Sequence, residues 1–245
     1  MLPQDGKPPP GPSDQGGGGD GPGEDAPKEA VLVLDADVAP MAEQVLLQLI
    51  LLRAKAKALV GDAAAGRKGF GPYVDVVGGS AGDGALLRRA LRGVRALVLC
   101  GRLAPGVLEA AAAAGVPHLV LLSAVGAPPR GGFALFGGGE MAALQDAGRE
   151  AAVARSGIPF TVVRVAALTD APGGASELRL EGGAAAAPSG EVSREDAAAV
   201  VARAAGRDAS GGRAVTCSLR GAGPGAPPQD WDALFAGLRE KAAMP

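Results

Sequence analysis

Residues 30–62 read AVLVLDADVAPMAEQVLLQLILLRAKAKALVGD, and this stretch decides the fold. Ala30–Leu34 is a short apolar run without alternation, the pattern of a strand buried on both faces. Met41–Arg53 repeats apolar residues at helical spacing, and Lys57–Val60 is a second apolar run closed by Gly61-Asp62. Strand, helix and strand in this order form a βαβ unit, in which the helix carries the chain back across the sheet and leaves the two strands parallel.

Outward from this unit the alternation continues. Val74–Val77, Ala96–Cys100, His118–Leu122 and Phe160–Val165 read as the third to sixth strands, and Arg213–Leu219 as a late one. Between them Ala85–Leu91, Pro105–Ala114 and Gly139–Ser156 read as helices, the second stopping at the C-cap residue Gly115. Ser193–Ala205 opens on Ser193-Arg194-Glu195-Asp196, a capped helix start. Asp230–Ala243 is a final helix with Trp231, Leu234, Phe235 and Leu238 on one face. The expected fold class is α/β, a doubly wound parallel sheet of Rossmann-like type in a single domain over residues 29–245. Such sheets take ligands outside the carboxyl ends of their strands.

Composition narrows the function. The chain of 245 residues carries 40 Gly and 20 Pro, and residues 1–28 hold 15 of them with one Leu as the large apolar side chain beyond Met1. That segment cannot offset its own ordering entropy and is expected to be disordered. Its acids Asp5, Asp14, Asp20, Glu24 and Asp25 outnumber its two lysines, unlike a transit peptide, so either it carries no import signal or the start is incomplete. A formal charge of -2 gives no basic arm for nucleic acid. No apolar run reaches the roughly 18 residues of a membrane span. Two cysteines and one histidine exclude a disulfide framework and a multi-histidine zinc site. A Ser-His-Asp triad would need His118, which begins the fifth strand at the end away from the ligand edge, and Gly-x-Ser-x-Gly does not occur.

Five segments, in order and spacing, resemble the atypical short-chain dehydrogenase/reductase family in its NmrA-like branch of NAD(P)-binding proteins. They are residues 31–62, LLRRALRGVRALVLC (86–100), AAAAGVPHLVLLSAVGA (111–127), GREAAVARSGIPFTVVRVAALTD (148–170) and GEVSREDAAAVVARAA (190–205). The resemblance runs from about residue 29 to 240. It implies a Rossmann fold and NADP or NAD as cofactor, with contacts at Asp35, Ala36, Asp37, Ser80, Gly101 and Ser123. It also implies the chloroplast of plants or algae as location, the cytoplasm otherwise.

Against that family the sequence departs where phosphate should bind. The family pattern T-G-A-T-G-x-x-G is here Leu34-Asp35-Ala36-Asp37-Val38-Ala39-Pro40-Met41, with Asp35, Val38 and Met41 in the glycine positions. The glycines let backbone N–H groups approach a pyrophosphate; two carboxylates repel it, and Val38 and Met41 are expected to add bulk there. The position after the second strand, often Arg in NADP binders, is Gly61. The catalytic Tyr and Lys of the superfamily are missing too: residues 133–150 contain neither, and the single tyrosine, Tyr73, precedes the third strand. Ser123 survives at the end of the fifth strand, and Arg164 matches an arginine of the relatives that an ion pair explains as well as a ligand does. Cys100 is expected to pack as a small apolar residue. The expected function is a non-catalytic binding or assembly subunit for a protein partner. The alternative is an NAD(P)-dependent oxidoreductase or redox sensor with a weakly bound dinucleotide.

Overall fold

The computed structural model describes residues 28–125, 138–183, 188–206 and 213–242. The segment expected to be disordered lies, apart from Lys28, outside the described residues. β1 (Ala30–Leu34), α1 (Pro40–Leu51) and β2 (Ala56–Val60) form the expected βαβ unit. α2 (Ala63–Phe70) and one 3-10 turn (Gly71–Tyr73) lead into β3 (Val74–Gly78). α3 (Gly84–Ala90), β4 (Val94–Leu99), α4 (Val107–Ala113) and β5 (Leu119–Ala124) follow. Next come α5 (Gly138–Leu144), α6 (Ala147–Arg155) and β6 (Phe160–Val165). The last part comprises β7 (Ala167–Thr169), β8 (Ser176–Gly182), β9 (Glu191–Ser193), α7 (Arg194–Gly206), β10 (Val215–Pro224) and α8 (Trp231–Ala242).

The main sheet runs β3-β2-β1-β4-β5-β6-β10-β8. Its strands are parallel except β8, which pairs antiparallel with β10. β7 and β9 form a separate parallel pair. All five residues of β1 are buried. Val31 and Val33 join a core with Met41 and Leu46 of α1, Val200 of α7 and Phe235 of α8. Leu32 and Leu34 face the other way, toward Leu87 of α3, Leu108 of α4 and Val153 of α6. Helices on both faces are the reason the strand shows no polar alternation. Each buried Val or Leu contributes roughly 1.5–3 kcal/mol, so a one-residue slip of register here would be costly.

Three features differ from the expectation. The helix expected over Gly139–Ser156 is two helices: Asp146 accepts a hydrogen bond from the Gly148 N–H at 2.9 Å and caps a new start, while Arg149 Nη1 donates to the Ala143 carbonyl at 3.0 Å. α2 was not expected, because its packing face is made of small residues. Asp62 caps it through the Ala64 and Ala65 N–H groups, and Gly66 lies against Val60 and Val76. The third difference is β7, β8 and β9 between the sixth strand and α7. The final helix docks as expected, with Phe235 and Leu238 buried and the Arg203 guanidinium stacked 3.7 Å from the centre of the Trp231 ring.

A Cβ on Gly78 would stand 2.5 Å from Ala63 Cβ, whereas one on Gly69 would meet nothing within 4 Å. Gly78→Ala should therefore push α2 off β3 and cost about 1–3 kcal/mol in urea unfolding. Gly69→Ala, on the same helix, should be neutral or stabilising.

Candidate functional site

The strand order reverses between β1 and β4, and in open parallel sheets a ligand crevice forms at that reversal. The turn from β1 to α1 makes one lip and Gly101, following β4, the other. Asp35 begins the turn at φ 56°, the left-handed region that favours glycine. Its carbonyl accepts hydrogen bonds from the N–H groups of Val38 (3.2 Å) and Ala39 (2.9 Å), so both donors are spent inside the turn. Its carboxylate reaches across the opening: Oδ2 lies 3.3 Å from where a Cβ on Gly101 would stand, with Ala39 Cβ at 3.6 Å. Asp37 turns the other way. Its Oδ2 accepts from the Gly61 N–H at 2.7 Å and the Asp62 N–H at 3.4 Å, tying the turn to the end of β2.

Ala36 is buried and Val38 is 73% exposed. Met41 corrects an expectation: it is fully buried in the core beneath α1 and adds no bulk to the opening. Burial, and after it the neighbouring charge of Asp37, raise the pKa of Asp35 above the usual carboxylate range.

Asp35, Ala36, Asp37 and Gly101 thus lie together at the crevice, whereas Ser80 and Ser123 have local partners. Ser80 follows β3, and its Oγ accepts from the Gly82 N–H at 3.1 Å within a turn. Ser123 is buried at the end of β5, its one hydroxyl proton within reach of the Leu144 carbonyl at 3.5 Å and of the Glu150 carboxylate. Glu150 in turn holds Arg164 through both Nε and Nη2, the latter at 2.6 Å. Burial pushes the Glu150 pKa up, but hydrogen bonds from Arg164 and Ser123 and the charges of Arg164 and Arg149 outweigh it and hold it below the usual range. Arg164 is therefore accounted for by an ion pair.

Arg149 is the residue that sequence reasoning passed over, although it lies in the window searched for Tyr and Lys. It is 2% exposed and donates to the carbonyls of Leu99 at the end of β4 (3.1 Å), Leu122 in β5 (3.1 Å) and Ala143 in α5. Among the described residues its Nε has no hydrogen-bond partner. The signal was its position four residues before the buried Val153, on the inner face of α6. Tyr73 stands 70% exposed ahead of β3, at the amino end of the sheet. His118 is buried at the same end with Nε2 3.1 Å from Thr161 Oγ1. Cys100 is fully buried in the core.

The match to a family model decides the kinship. Residues 42–208, about two thirds of the chain, match the family described as NAD(P)H-binding. The chain belongs to the NAD(P)H-binding family. No curated protein matches its sequence. Among solved structures it is similar to a Rossmann-fold NAD(P)-binding family protein from Shigella flexneri, at 20% identity over 83% of this chain and 99% of that one, with a TM-score of 0.60. A putative NAD-dependent epimerase/dehydratase from Bacillus halodurans is similar at 18% identity over 87% and 99%, with a TM-score of 0.61. A short-chain dehydrogenase/reductase from Veillonella parvula, in complex with NADP, is similar at 15% identity over 82% and 99%, with a TM-score of 0.59. The expected Rossmann-like fold and the NAD(P)-binding kinship are borne out.

The family's cofactor does not fit the β1–α1 turn in this geometry. Two of the turn's N–H donors are used, and a carboxylate occupies the gap that Gly101 leaves. An ionised carboxylate 4–5 Å from a phosphate repels it by roughly 3–4 kcal/mol at an effective dielectric of about 20, about two orders of magnitude in affinity. The family match itself begins at Ala42, just beyond this turn.

Because the pKa of Asp35 is raised in the fold, its ionisation destabilises the native state. That stability is present below the ordinary aspartate range and lost as pH rises through the folded pKa. Asp35→Asn, which also tolerates the left-handed backbone, should melt at higher temperature than the parent at neutral pH, the difference closing as the pH falls into the acid range. Arg149→Met should cost on the order of 3 kcal/mol in denaturant unfolding, since it removes three charge-assisted hydrogen bonds.

Proposed function

We propose that the chain keeps the scaffold of the NAD(P)H-binding family, has given up hydride transfer, and serves as a non-catalytic binding or assembly subunit for a protein partner. The observation that carries this reading is the closure of the β1–α1 turn by its own carboxylates, Asp35 against Gly101 and Asp37 on the N–H groups after β2. The missing Tyr and Lys support it, because no phenol stands where an alkoxide would need a proton. Ser123, which could orient a carbonyl, instead donates inward. A chloroplast location belongs to the same proposal and is checked by imaging a fluorescent fusion of the full chain.

The second reading is an NAD(P)-dependent oxidoreductase or redox sensor that holds its cofactor weakly, favoured by the family match and the preserved strand order. Calorimetric titration with NAD, NADH, NADP and NADPH separates the two. No saturable heat at millimolar nucleotide is the expected outcome. Saturable binding selects the second reading, and turnover of NADPH with a carbonyl substrate overturns the first.

A further inference from the structure

The carboxyl edge of the sheet carries another opening, away from the nucleotide crevice. β10 stands four strand spacings from β1, on the order of 19 Å. Beside its end, the β7–β9 pair and the loop of residues 171–175 border an open pocket of about 350 Å³, within the size range of small-molecule sites.

Its walls are fixed by the chain itself. The Gly173 N–H donates to Glu195 Oε2 and the Gly174 N–H to Asp196 Oδ1, both at 2.8 Å, which pins the loop to the start of α7. Ser193 Oγ donates to Asp196 Oδ2 at 2.8 Å. The Gly225 N–H donates to the Ala175 carbonyl at 3.2 Å. A Cβ on Gly221 would stand 2.9 Å from the Glu191 carbonyl oxygen, so glycine is needed where β10 passes β9. A pocket held this way charges little ordering entropy to a ligand.

The lining has a definite chemistry. Glu191, Thr169 and Ser176 are among the residues that line the pocket, Glu191 being exposed, and their side chains make no hydrogen bond or ion pair among the described residues. Among the described residues, no Lys, Arg or His lines it. The neighbouring Arg194 is engaged with Asp170 at 2.7 Å, and Glu195 and Asp196 add negative charge close by. Such a lining disfavours phosphates and carboxylates and matches a donor-rich cation. Pro172, Val192 and Pro224 supply apolar surface for a short carbon skeleton.

We propose that this pocket binds a small organic ammonium compound, its N–H groups donating to the Glu191 carboxylate and the Thr169 and Ser176 hydroxyls. The inference is independent of whether the nucleotide crevice binds anything. Calorimetric titration of the full chain with putrescine and tyramine tests it, with 1,4-butanediol as the uncharged counterpart of putrescine and succinate as the anionic one. Saturable one-to-one binding of at least one amine below millimolar concentration is expected, at least tenfold tighter than butanediol, with succinate silent. Glu191→Gln should weaken the amine at least tenfold and Ser176→Ala a few-fold, with unchanged melting temperatures showing that both variants fold. Glu43→Gln on α1 should leave binding unchanged. No saturation by either amine, equal binding of butanediol or succinate, or an unaltered affinity in Glu191→Gln would each overturn the proposal.

Discussion

Everything in this structure is arranged around β1, a strand buried on both sides. Its two faces belong to different cores, Val31 and Val33 to the one under α1 and α7, Leu32 and Leu34 to the one under α3 and α4. A strand in that position cannot shift by one residue, because its neighbours β2 and β4 and both helical layers would have to follow. The turn that leaves β1 is therefore held at a fixed place beside the end of β4. Whatever residues the turn carries, they are delivered to the mouth of the crevice.

Here they are carboxylates, and the fold accommodates them in two ways. Asp37 finds backbone donors at the end of β2, a favourable arrangement for an anion at the start of a helix. Asp35 finds no such donor among the described residues and sits half-buried with its backbone in the left-handed region; its burial, with the charge of Asp37, raises its pKa. Further along the same edge, Arg149 ties β4, β5 and α5 together through their carbonyls. Side chains of the chain itself thus take up polar groups along the edge at which open parallel sheets take ligands.

Much of the fold was legible in the sequence because parallel strands buried on both faces leave uninterrupted apolar runs, as in Ala30–Leu34 and Phe160–Val165. β8 was legible in principle: SELRLEG alternates with period two, Leu178 and Leu180 inward and Glu177, Arg179 and Glu181 outward, but a search for continuous apolar runs passes over it. β7 and β9, three residues each, are too short for any periodicity. α2 hides because glycine and alanine pack as closely as larger residues without marking a face. At the site, the departure from the glycine pattern was readable at Asp35 and Asp37. Their partners were not, since Gly61 and Gly101 reach them only through the βαβ crossovers. Met41 was misplaced because the helix begins one residue earlier than the pattern suggested and turns that side chain inward.

The stacking of Arg203 on Trp231 has a practical consequence. The chain holds a single tryptophan, and it lies at the first residue of α8 beneath a cation carried by α7. Its emission therefore reports on one joint, the seating of the terminal helix on the rest of the molecule. Undocking of that helix would change the colour and intensity of the signal while the parallel sheet stayed intact, giving the protein an intrinsic optical gauge of its carboxyl-terminal end.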